Sequence, residues 1–470
     1  MKKTHIIIFA CLFFAVCLFP GLTLGRSSDA GKQEEAEQED FPKVTENGSL
    51  NTEFFAEFDT WVTRHMGFRS AFINVNARLR AALFGESAED DVIIGSGGWL
   101  YYADTLDDYQ NIATLSDRNV KNIAATLLMM QNYCGENGAA FVFTVAPNKN
   151  SVYGANMPSR YGKAASDNNL TRLTSALEDA GVSYANLLSV ISASEEVLYQ
   201  KRDSHWTYRG ALLAYQTIIK QLGTEHSLME DTTFTKRNDW DADLVNMLYT
   251  DEPDTDEQWY PDTEFTYETK GVVVSQEALT IEAFGSGEGK LLMFRDSFGN
   301  TSWPYFAENY GQSEFSRVVP YRLDKVKENG VTEVVLEIVE RNLADLAERA
   351  PVMEAPEAEL TEVFAADLSE YRETGYRKTE YGLLHVYGEI EESVLGESYE
   401  VIILANTADG IRRFKAFPIY EAELLGGSGD NGYSAYLPLT EEEITELSIV
   451  VISDGTTYTD NSVNWITVTD

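Results

Sequence analysis

Two short segments of the chain carry the residue types that acyl transfer requires. Residues 202–206 (RDSHW) place a carboxylate two positions before a histidine, and residues 294–299 (FRDSFG) contain a serine. A serine hydroxyl becomes a good nucleophile only when a base removes its proton. Imidazole is such a base when a carboxylate fixes its other nitrogen. The pattern therefore predicts Ser297 as nucleophile, His205 as base and Asp203 as the group that orients the imidazole.

The elements around Ser297 favour this role. Residues 290–294 form a short apolar run typical of a buried strand, and the residues up to Phe306 favour a helix. A serine on such a strand-to-helix turn exposes its hydroxyl and lies beside backbone N–H groups that stabilise an oxyanion. The N–H of Ser297 or Phe298 is the expected donor. A helix N-cap role for Ser297, and helix-capping roles for His205 and Asp203, stay open alternatives.

Further motifs add a family resemblance. With the two segments above, they resemble the SGNH hydrolase-like family of AlgJ and AlgX, the alginate O-acetylation proteins, and above all its DHHW subgroup. The matching motifs are Ile94-Gly95, Gly98-Trp99-Leu100-Tyr101-Tyr102, Pro147-Asn148-Lys149, Val152-Tyr153 and Glu340-Arg341-Asn342-Leu343. The resemblance spans about residues 41–345. One departure is Ser204, where the subgroup name implies histidine, at a position outside the triad.

The resemblance implies a function and a set of partners. It implies an exported O-acetyltransferase of a cell-surface or secreted polysaccharide, acting through a Ser-His-Asp triad and an acetyl-serine intermediate without a cofactor. Acetyl-CoA is absent outside the cell, so a membrane-bound O-acyltransferase is the expected acetyl donor partner. In this family, as here, the Asp and His precede the serine along the chain.

The resemblance also implies further groups around the oxyanion. SGNH folds add a side-chain donor from a neighbouring loop, and Asn148 is the expected one, with Lys149 as an orienting charge. Arg295 either faces the substrate cleft or pairs with Asp296, and both alternatives stay open. Glu340 and Arg341 are expected to form an ion pair at the sheet edge.

Two other functions use the same residues. The first is a carbohydrate acetylesterase, in which water replaces the sugar as acceptor. The second is a non-catalytic glycan-binding or assembly protein with an unused triad. The sequence leaves the choice open, because transfer and hydrolysis differ in how well the cleft excludes water.

The N-terminus predicts export. Lys2 and Lys3 precede an apolar stretch from Ile6 to Phe19, so residues 1–25 are either a signal peptide or a membrane anchor. Residues 26–40 form an acidic spacer. The protein is therefore expected at the extracellular face of the membrane or secreted. The oligomeric state is left open.

Charge limits the partners. The formal net charge is −40, which repels nucleic acid and anionic lipid, and no nucleic-acid partner is expected. A polyuronate substrate would need a local basic groove, so a neutral or amino-sugar glycan fits better. No metal site is expected, because the acidic run 239–243 lacks the glycine and the glutamate of a calcium loop.

The order of elements predicts an α/β fold. Apolar strands at 139–145, 183–187, 291–294 and 333–339 alternate with helices at 120–133, 170–177 and 207–222. Such alternation favours a parallel sheet with helices on both faces. The predicted organisation comprises an SGNH-like catalytic domain at 41–349 with an insertion at 226–290, a linker at 350–374 and a β-sandwich-like domain at 375–470. The insertion, with a β-like stretch at 271–274, is expected to form one wall of the cleft.

Overall fold

The fold was taken from a computed structural model of the chain. It describes residues 5–11, 13–14, 41–46, 49–65, 69–164, 167–249, 255–273, 275, 277–359, 366–367, 374–378, 381–460 and 465–467. The chain divides into two compact units, residues 1–94 with 241–255, and residues 95–240 with 256–470.

The helices and strands alternate through most of the chain. The α-helices are α1 (Phe54–His65), α2 (Arg69–Phe84), α3 (Leu106–Gln110), α4 (Asp117–Glu136), α5 (Lys149–Tyr153), α6 (Asn169–Ala180), α7 (Leu187–Ser192), α8 (Tyr208–Leu222), α9 (Asp243–Leu248), α10 (Gly299–Asn309), α11 (Lys325–Asn329) and α12 (Ala422–Leu425). Short 3-10 helices lie at Ser96–Gly98, Ala103–Thr105, Gly154–Asn156, Glu340–Ala347, Glu392–Val394 and Glu441–Glu443.

The strands fall into a first, mixed group and a second, C-terminal group. The first comprises β1 (Thr45–Glu46), β2 (Ser49–Leu50), β3 (Val92–Ile94), β4 (Leu100–Tyr102), β5 (Ala140–Ala146), β6 (Tyr184–Ala185), β7 (Phe234–Asp241), β8 (Thr255–Pro261), β9 (Glu268–Thr269), β10 (Thr280–Phe284), β11 (Lys290–Phe294), β12 (Gln312–Ser316) and β13 (Glu333–Val339). The second comprises β14 (Ala366–Asp367), β15 (Thr374–Lys378), β16 (Leu384–Glu389), β17 (Tyr399–Thr407), β18 (Gly410–Ala416), β19 (Gly432–Leu437), β20 (Ile444–Ser453), β21 (Thr456–Asp460) and β22 (Trp465–Thr467).

A seven-stranded sheet lies at the centre of the larger unit. Its order is β6-β5-β13-β11-β12-β10-β9, and the strands from β6 to β12 pair in parallel. The predicted α/β fold with helices flanking a parallel sheet is confirmed. Parallel strands place their carboxyl ends at one edge of the sheet, where α/β proteins bind their ligands.

The segment predicted as an insertion extends this sheet. Strands β9 and β10 come from it, and β10 pairs antiparallel with β12 and with β9. Residues 271–273, the described part of the predicted β-like stretch, form no strand. The segment therefore supplies an antiparallel edge, and it also supplies the two-stranded sheet of β7 and β8.

Alternation along the strands separates the two faces of the sheet. On one face, side chains from β5 and β13 share a core with α4 and α6, the strand residues being Phe141, Phe143, Val145, Val334, Leu336 and Ile338. Helix α8 packs against β5 and against α10. Strands that are covered by helices on both faces need apolar residues at successive positions, which explains why their sequences read as continuous apolar runs.

One predicted strand is much shorter than expected. Residues 183–187 were predicted to be extended, but β6 has two residues and α7 begins at Leu187. The Asn186 side chain accepts a hydrogen bond from the Ser189 N–H at 3.0 Å and caps this helix. An N-cap between two apolar residues ends the extended conformation.

The C-terminal region is rich in β-structure. One sheet has the order β14-β21-β20-β17-β18 and the other β19-β16-β15-β22. Side chains from both sheets share one core, which includes Val386, Ile403, Phe414, Ala435 and Val451. The two sheets therefore cover each other's apolar faces.

The start of the predicted linker is buried. Val352 and Met353 are fully buried within the core shared by α4 and the central sheet, together with Phe417 and Ile419 of the C-terminal region. The chain at 350–355 is thus packed and is no exposed spacer. The rest of the predicted linker lies largely outside the described residues.

The predicted signal or anchor segment and the acidic spacer lie mainly outside the described residues. Residues 5–11 and 13–14 are helical, and the acidic spacer 26–40 is not described. Within the described chain, no helix combines the length and the apolar character that crossing a membrane requires.

Candidate active site

Ser297 lies on the turn between β11 and α10. Asp296 fixes this turn, because its carboxylate accepts hydrogen bonds from the Phe298 N–H at 2.8 Å and from the Val339 N–H at 2.5 Å. A Cβ at Gly299 would lie 2.7 Å from the Arg295 Cβ, so this tight turn requires glycine there. The turn is therefore held to the end of the neighbouring strand β13, with the serine beyond it.

His205 lies on the loop that leads into α8. Thr207 caps this helix by accepting a hydrogen bond from the Gly210 N–H at 3.2 Å. The buried Trp206 indole N–H donates to the Phe298 carbonyl at 3.1 Å and to the Thr301 hydroxyl at 2.8 Å. The tryptophan of the motif thus joins the histidine loop to the serine turn.

The three residues predicted to be catalytic form one hydrogen-bonded line. The Ser297 Oγ lies 2.9 Å from His205 Nε2, and His205 Nδ1 lies 2.8 Å from Asp203 Oδ1. A carboxylate at Nδ1 accepts the proton there, which leaves the Nε2 lone pair directed at the serine hydroxyl. The His205 side chain is 21% exposed and that of Asp203 is 4% exposed. A buried carboxylate, a half-buried imidazole and a hydroxyl in line are the geometry of a nucleophilic serine.

The electrostatics keep Asp203 ionised. Burial alone raises the pKa of a carboxyl group, but the hydrogen bonds and charge of His205 lower the pKa of Asp203 below its ordinary value of 3.8. Its Oδ1 also accepts from the His205 backbone N–H at 2.9 Å. Asp203 is therefore a carboxylate at any pH at which the imidazole works as a base.

Trp240 is a contact that the sequence did not indicate. It lies near the end of β7, and its indole N–H donates to Asp203 Oδ2 at 2.9 Å. Both carboxylate oxygens of Asp203 are thus bonded, one to the histidine and one to the tryptophan. The sequence signal was weak, because Trp240 lies in an acidic segment that resembles a surface insertion.

Lys149 binds the backbone of the histidine loop. Its ammonium group donates to the carbonyl oxygens of Gln200 and Lys201 at 3.2 Å and of Asp203 at 2.6 Å. The side chain is buried and its three donors point at this loop. The predicted orienting charge therefore lies against the backbone of the segment that carries Asp203.

Asn148 lies directly beyond β5, within a group of acidic side chains. Its side-chain amide donates to Asp108 Oδ2 at 3.0 Å, and its backbone N–H donates to Glu340 Oε2 at 2.7 Å. Burial raises the pKa of Asp108 to about 6 and that of Glu340 to about 7. Asn168 donates to the other Glu340 oxygen at 2.9 Å. The expected ion pair between Glu340 and Arg341 is wrong: within the described chain Glu340 is hydrogen-bonded by Asn148, Asn168 and the Ser151 side chain.

Arg341 instead lies over aromatic rings beside the serine turn. Its guanidinium carbon is 5.4 Å from the Tyr102 ring centre and 6.0 Å from that of Phe298. A small pocket of about 10 Å³, with room for roughly one water-sized group, adjoins it. The pocket is lined by Tyr102, Thr105, Asn148, Lys149, Ser204, Phe298 and Arg341. The Arg341 guanidinium and the Asn148 amide thus meet next to Phe298, which follows the predicted nucleophile Ser297.

Arg295 is buried within the serine turn. Its guanidinium donates to the Asp296 carbonyl oxygen at 3.1 Å and to Asn300 Oδ1 at 2.5 Å. Burial lowers its pKa to about 10, against the opposing attraction of Glu337 and Asp296. Of the two alternatives for Arg295, these bonds favour the role within the turn, although its partner is the Asp296 backbone rather than the carboxylate.

The fold and this line of residues together define a hydrolase-like α/β domain of the SGNH type. Residues 92–300 match the family model of the SGNH hydrolase-like domain of acetyltransferase AlgX. The matched stretch contains Asp203, His205 and Ser297. Residues 92–300 are therefore similar to the SGNH hydrolase-like domain of this acetyltransferase family, and the resemblance drawn from the motifs is confirmed.

Solved structures and curated proteins were also compared with the chain. Bacillus cereus PatB1 is 18% identical with a TM-score of 0.44, and the match covers 54% of this chain and 96% of that one. A DHHW family protein from Eubacterium siraeum DSM 15702 is 17% identical with a TM-score of 0.41, covering 54% and 91%. The O-acetyltransferase domain of Pseudomonas putida AlgJ is 16% identical with a TM-score of 0.36, covering 54% and 91%. No curated protein matches the chain.

Proposed function

We propose that this protein is an exported O-acetyltransferase that places acetyl groups on hydroxyls of a cell-surface or secreted polysaccharide. The observation that carries the proposal is the line from Ser297 Oγ through the His205 imidazole to the Asp203 carboxylate, with distances of 2.9 Å and 2.8 Å. The match to an acetyltransferase family over residues 92–300 supports acetyl as the transferred group.

In the first half of the reaction Ser297 takes the acetyl group. Its Oγ attacks the carbonyl carbon of the donor while His205 Nε2 receives the hydroxyl proton. The tetrahedral intermediate then expels the donor's leaving group, which takes the proton from Nε2. Asp203 stabilises the imidazolium between these two steps. The product is acetyl-Ser297.

In the second half a sugar hydroxyl takes the acetyl group. His205 Nε2 removes the hydroxyl proton as the sugar oxygen attacks the acetyl carbon. The bond to Ser297 Oγ breaks, and this oxygen recovers its proton from Nε2. Water in place of the sugar would give net hydrolysis by the same steps, so exclusion of water from the site decides between transfer and hydrolysis.

The Ser297 N–H is the backbone donor that fits the oxyanion. The Phe298 N–H is already bonded to Asp296 Oδ1 at 2.8 Å, whereas within the described chain the Ser297 N–H has no acceptor. Asn148 and Arg341 line the adjoining pocket and are the proposed side-chain donors. The Asn148 Oδ1 is buried without a protein partner among the described residues, so a donor from the substrate or a water fits there.

The acetyl donor is expected to come from a membrane-bound O-acyltransferase. This partner and the exported location are inferred from the family resemblance and from the apolar N-terminal segment. The strongly negative chain, with a net charge of −40, favours a neutral or amino-sugar acceptor over a polyuronate.

The test uses the full chain with p-nitrophenyl acetate as donor and neutral, amino-sugar and uronate oligosaccharides as acceptors. Nitrophenol release is followed by absorbance, and acetyl-Ser297 and acetylated sugar by mass spectrometry. Ser297→Ala is compared with Ser302→Ala, because the Ser302 hydroxyl donates to the Gly299 carbonyl at 3.2 Å and lies outside the predicted triad. We expect acetylated neutral or amino sugar, formed by the native chain and Ser302→Ala but not by Ser297→Ala.

Two results would contradict the proposal. Ser297-dependent nitrophenol release without acetylated sugar for any acceptor would indicate an esterase. Absence of any Ser297-dependent reaction would indicate a glycan-binding or assembly protein.

A further inference from the structure

Helix α2 presents a stripe of large apolar side chains to solvent. The stripe consists of Phe72, Val75, Leu79 and Leu83, which are 43%, 54%, 54% and 69% exposed. Residues three and four apart on a helix lie on the same face, so these side chains form one continuous band. With a rise of about 1.5 Å per residue, the band is roughly 16 Å long.

The opposite face of α2 is the one that packs inside its unit. Asn74 and Ala77 are 7% and 2% exposed, and both are small or polar. The helix thus buries small residues and exposes large apolar ones, which reverses the usual pattern of an amphipathic helix in a water-soluble domain. Contiguous apolar surface of this kind marks an interaction site.

The charges on α2 differ from those of the rest of the chain. Its sequence, RSAFINVNARLRAALF, contains three arginines and no carboxylate, whereas the whole chain has a net charge of −40. Arg78 and Arg80 are exposed and flank the apolar stripe on the two sides of the helix. Arg80 lies 3.8 Å from the exposed Glu86, a solvent-screened pair of small effect, and Arg78 lies over the Tyr249 ring at 4.8 Å.

We propose that α2 docks this stripe onto the surface of an anionic phospholipid bilayer. An apolar band flanked by arginines is the pattern of a helix that lies in the membrane interface, with its apolar side chains among the upper acyl chains. Long arginine side chains reach outward to the headgroups from such a position. Each cation near an anionic membrane surface adds favourable electrostatic free energy.

The acidity of the chain gives this docking a defined orientation. An anionic bilayer repels most of a surface with net charge −40. Helix α2 combines positive charge with exposed apolar area, so such a bilayer attracts this face. The chain as a whole is expected to be repelled by anionic lipid, and α2 is the local exception.

The position of α2 in the sequence supports the same partner. The predicted membrane-directed segment ends near Phe19, and residues 20–40 span at most about 75 Å in any conformation. If that segment is retained in the bilayer, α2 is held close to the same surface. A single weak membrane contact gives reversible binding, whereas two linked contacts give stable attachment. The proposal does not depend on the acyl-transfer chemistry.

The experiment places a reporter on the stripe and another on a distant surface of the full chain. Cys11 and Cys17 are changed to serine, and a bimane fluorophore is attached through Ala82→Cys, an exposed position beside the stripe, or through Ala193→Cys, an exposed position after α7. Each protein is reconstituted with phosphatidylcholine vesicles, with or without phosphatidylglycerol. Brominated lipids then quench those fluorophores that reach the acyl region.

We expect quenching at position 82 in anionic vesicles to exceed that at position 193 by about threefold or more. The double variant Arg78→Glu/Arg80→Glu should lower quenching at position 82 by at least about half, whereas Arg78→Lys/Arg80→Lys should preserve it. About 0.5 M salt should lower it as well, because salt screens the headgroup charge. Circular dichroism of each variant checks that the helices are retained.

Three outcomes would overturn the proposal. The first is equal quenching at positions 82 and 193, and the second is equal quenching at position 82 in anionic and neutral vesicles. The third is protection of position 82 from aqueous iodide, without vesicles, that increases with protein concentration. That result would assign the stripe to a second copy of the chain.

Discussion

Two sets of serine, histidine and carboxylate lie in the larger unit, and only one has the geometry of an active site. In the first, Ser297 contacts His205 Nε2 and Asp203 contacts Nδ1. In the second, Ser434 and Glu421 both lie at His385 Nε2, at 2.8 Å and 3.2 Å. A proton relay needs one partner on each nitrogen of the ring. The second set lacks this arrangement.

Exposure separates the two sets further. The His205 side chain is 21% exposed and that of His385 is 0% exposed, and the Tyr436 ring stacks on the latter at 4.2 Å. The Ser434 hydroxyl donates to Glu421 at 2.6 Å, so its proton is already committed. The same three kinds of side chain therefore hold strands together in one place and are accessible to a substrate in the other. Residue type alone does not define a catalytic site.

The largest contrast is expected from removing each histidine. His205→Ala should lower kcat by about 10⁴-fold with little change in Tm, because it removes the base but little buried contact. His385→Ala should lower the free energy of unfolding by about 2–4 kcal/mol, because it leaves a cavity beside Ser434 and Glu421. Its kcat below the melting transition should stay within about twofold of native. Kinetics and thermal melts of both variants check this, and equal losses of kcat would contradict the contrast.

The carboxylates of the two sets should show the same contrast in kcat as the histidines. Asp203→Asn should lower kcat by about 10³- to 10⁴-fold, because an amide donor facing Nδ1 favours the wrong tautomer of His205. Glu421→Gln should leave kcat within about twofold, because its bonds serve packing alone. Steady-state kinetics at matched folded fractions distinguishes the two. If Glu421→Gln lowered kcat nearly as much as Asp203→Asn, the set of Ser434, His385 and Glu421 would affect the reaction.

Two buried carboxylates should give opposite dependences of stability on pH. Burial raises the pKa of Glu340 from 4.5 to about 7. Protonated Glu340 therefore contributes its full share to the free energy of unfolding below pH 4.5. That contribution falls by up to about 3 kcal/mol as the pH rises to about 7. For Glu421, burial is outweighed by its bonds to His385, and its pKa is lowered. The contribution of the Glu421 carboxylate to the free energy of unfolding is therefore present above pH 4.5 and is lost as the pH falls below it.

Thermal melts between about pH 4 and pH 8 test these signs. Glu340→Gln should flatten the decline of Tm on the alkaline side, and Glu421→Gln should flatten the decline on the acidic side. The solvent-facing Glu282→Gln, whose native carboxylate pairs with Lys270 at 2.8 Å, serves as the control and should change neither limb. If the Tm of Glu340→Gln declined with rising pH as steeply as that of the native protein, the effect given to burial of Glu340 would be contradicted.

The smallest effect is expected at Trp240, which has no counterpart in the second set. Trp240→Phe keeps the ring but removes the N–H donor to Asp203 Oδ2, and kcat should fall by about tenfold, since a hydrogen bond to a charged group contributes about 1.5 kcal/mol. Trp259→Phe, at the tryptophan of the paired strand β8, should have no effect. In an Asp203→Ala background the Trp240→Phe loss should vanish. A loss of equal size in both backgrounds would indicate a structural role only.

Much of the fold could be predicted from local patterns. Strands β5, β11 and β13 and helices α4 and α8 lie close to their predicted positions, because apolar runs and helical periodicity reflect which side chains are buried. The buried chain at 350–355 was not predicted. Its composition resembles a linker, and only the tertiary structure places Val352 and Met353 in the core.

The sequence by itself identified the candidate reacting groups. Asp203 and His205 are two residues apart, and Ser297 lies in a recognisable strand-to-helix turn, so short-range pattern and motif were enough. The tertiary structure alone added Trp240 on Asp203 and Arg341 beside Phe298, and it alone placed the predicted orienting charge, Lys149, on the histidine loop. Trp240 lies in β7, Lys149 follows β5 and Arg341 follows β13, so these residues are far apart in sequence. A hydrogen bond forms only within about 3 Å, and that distance is set by the order and register of the sheet, which no local pattern contains.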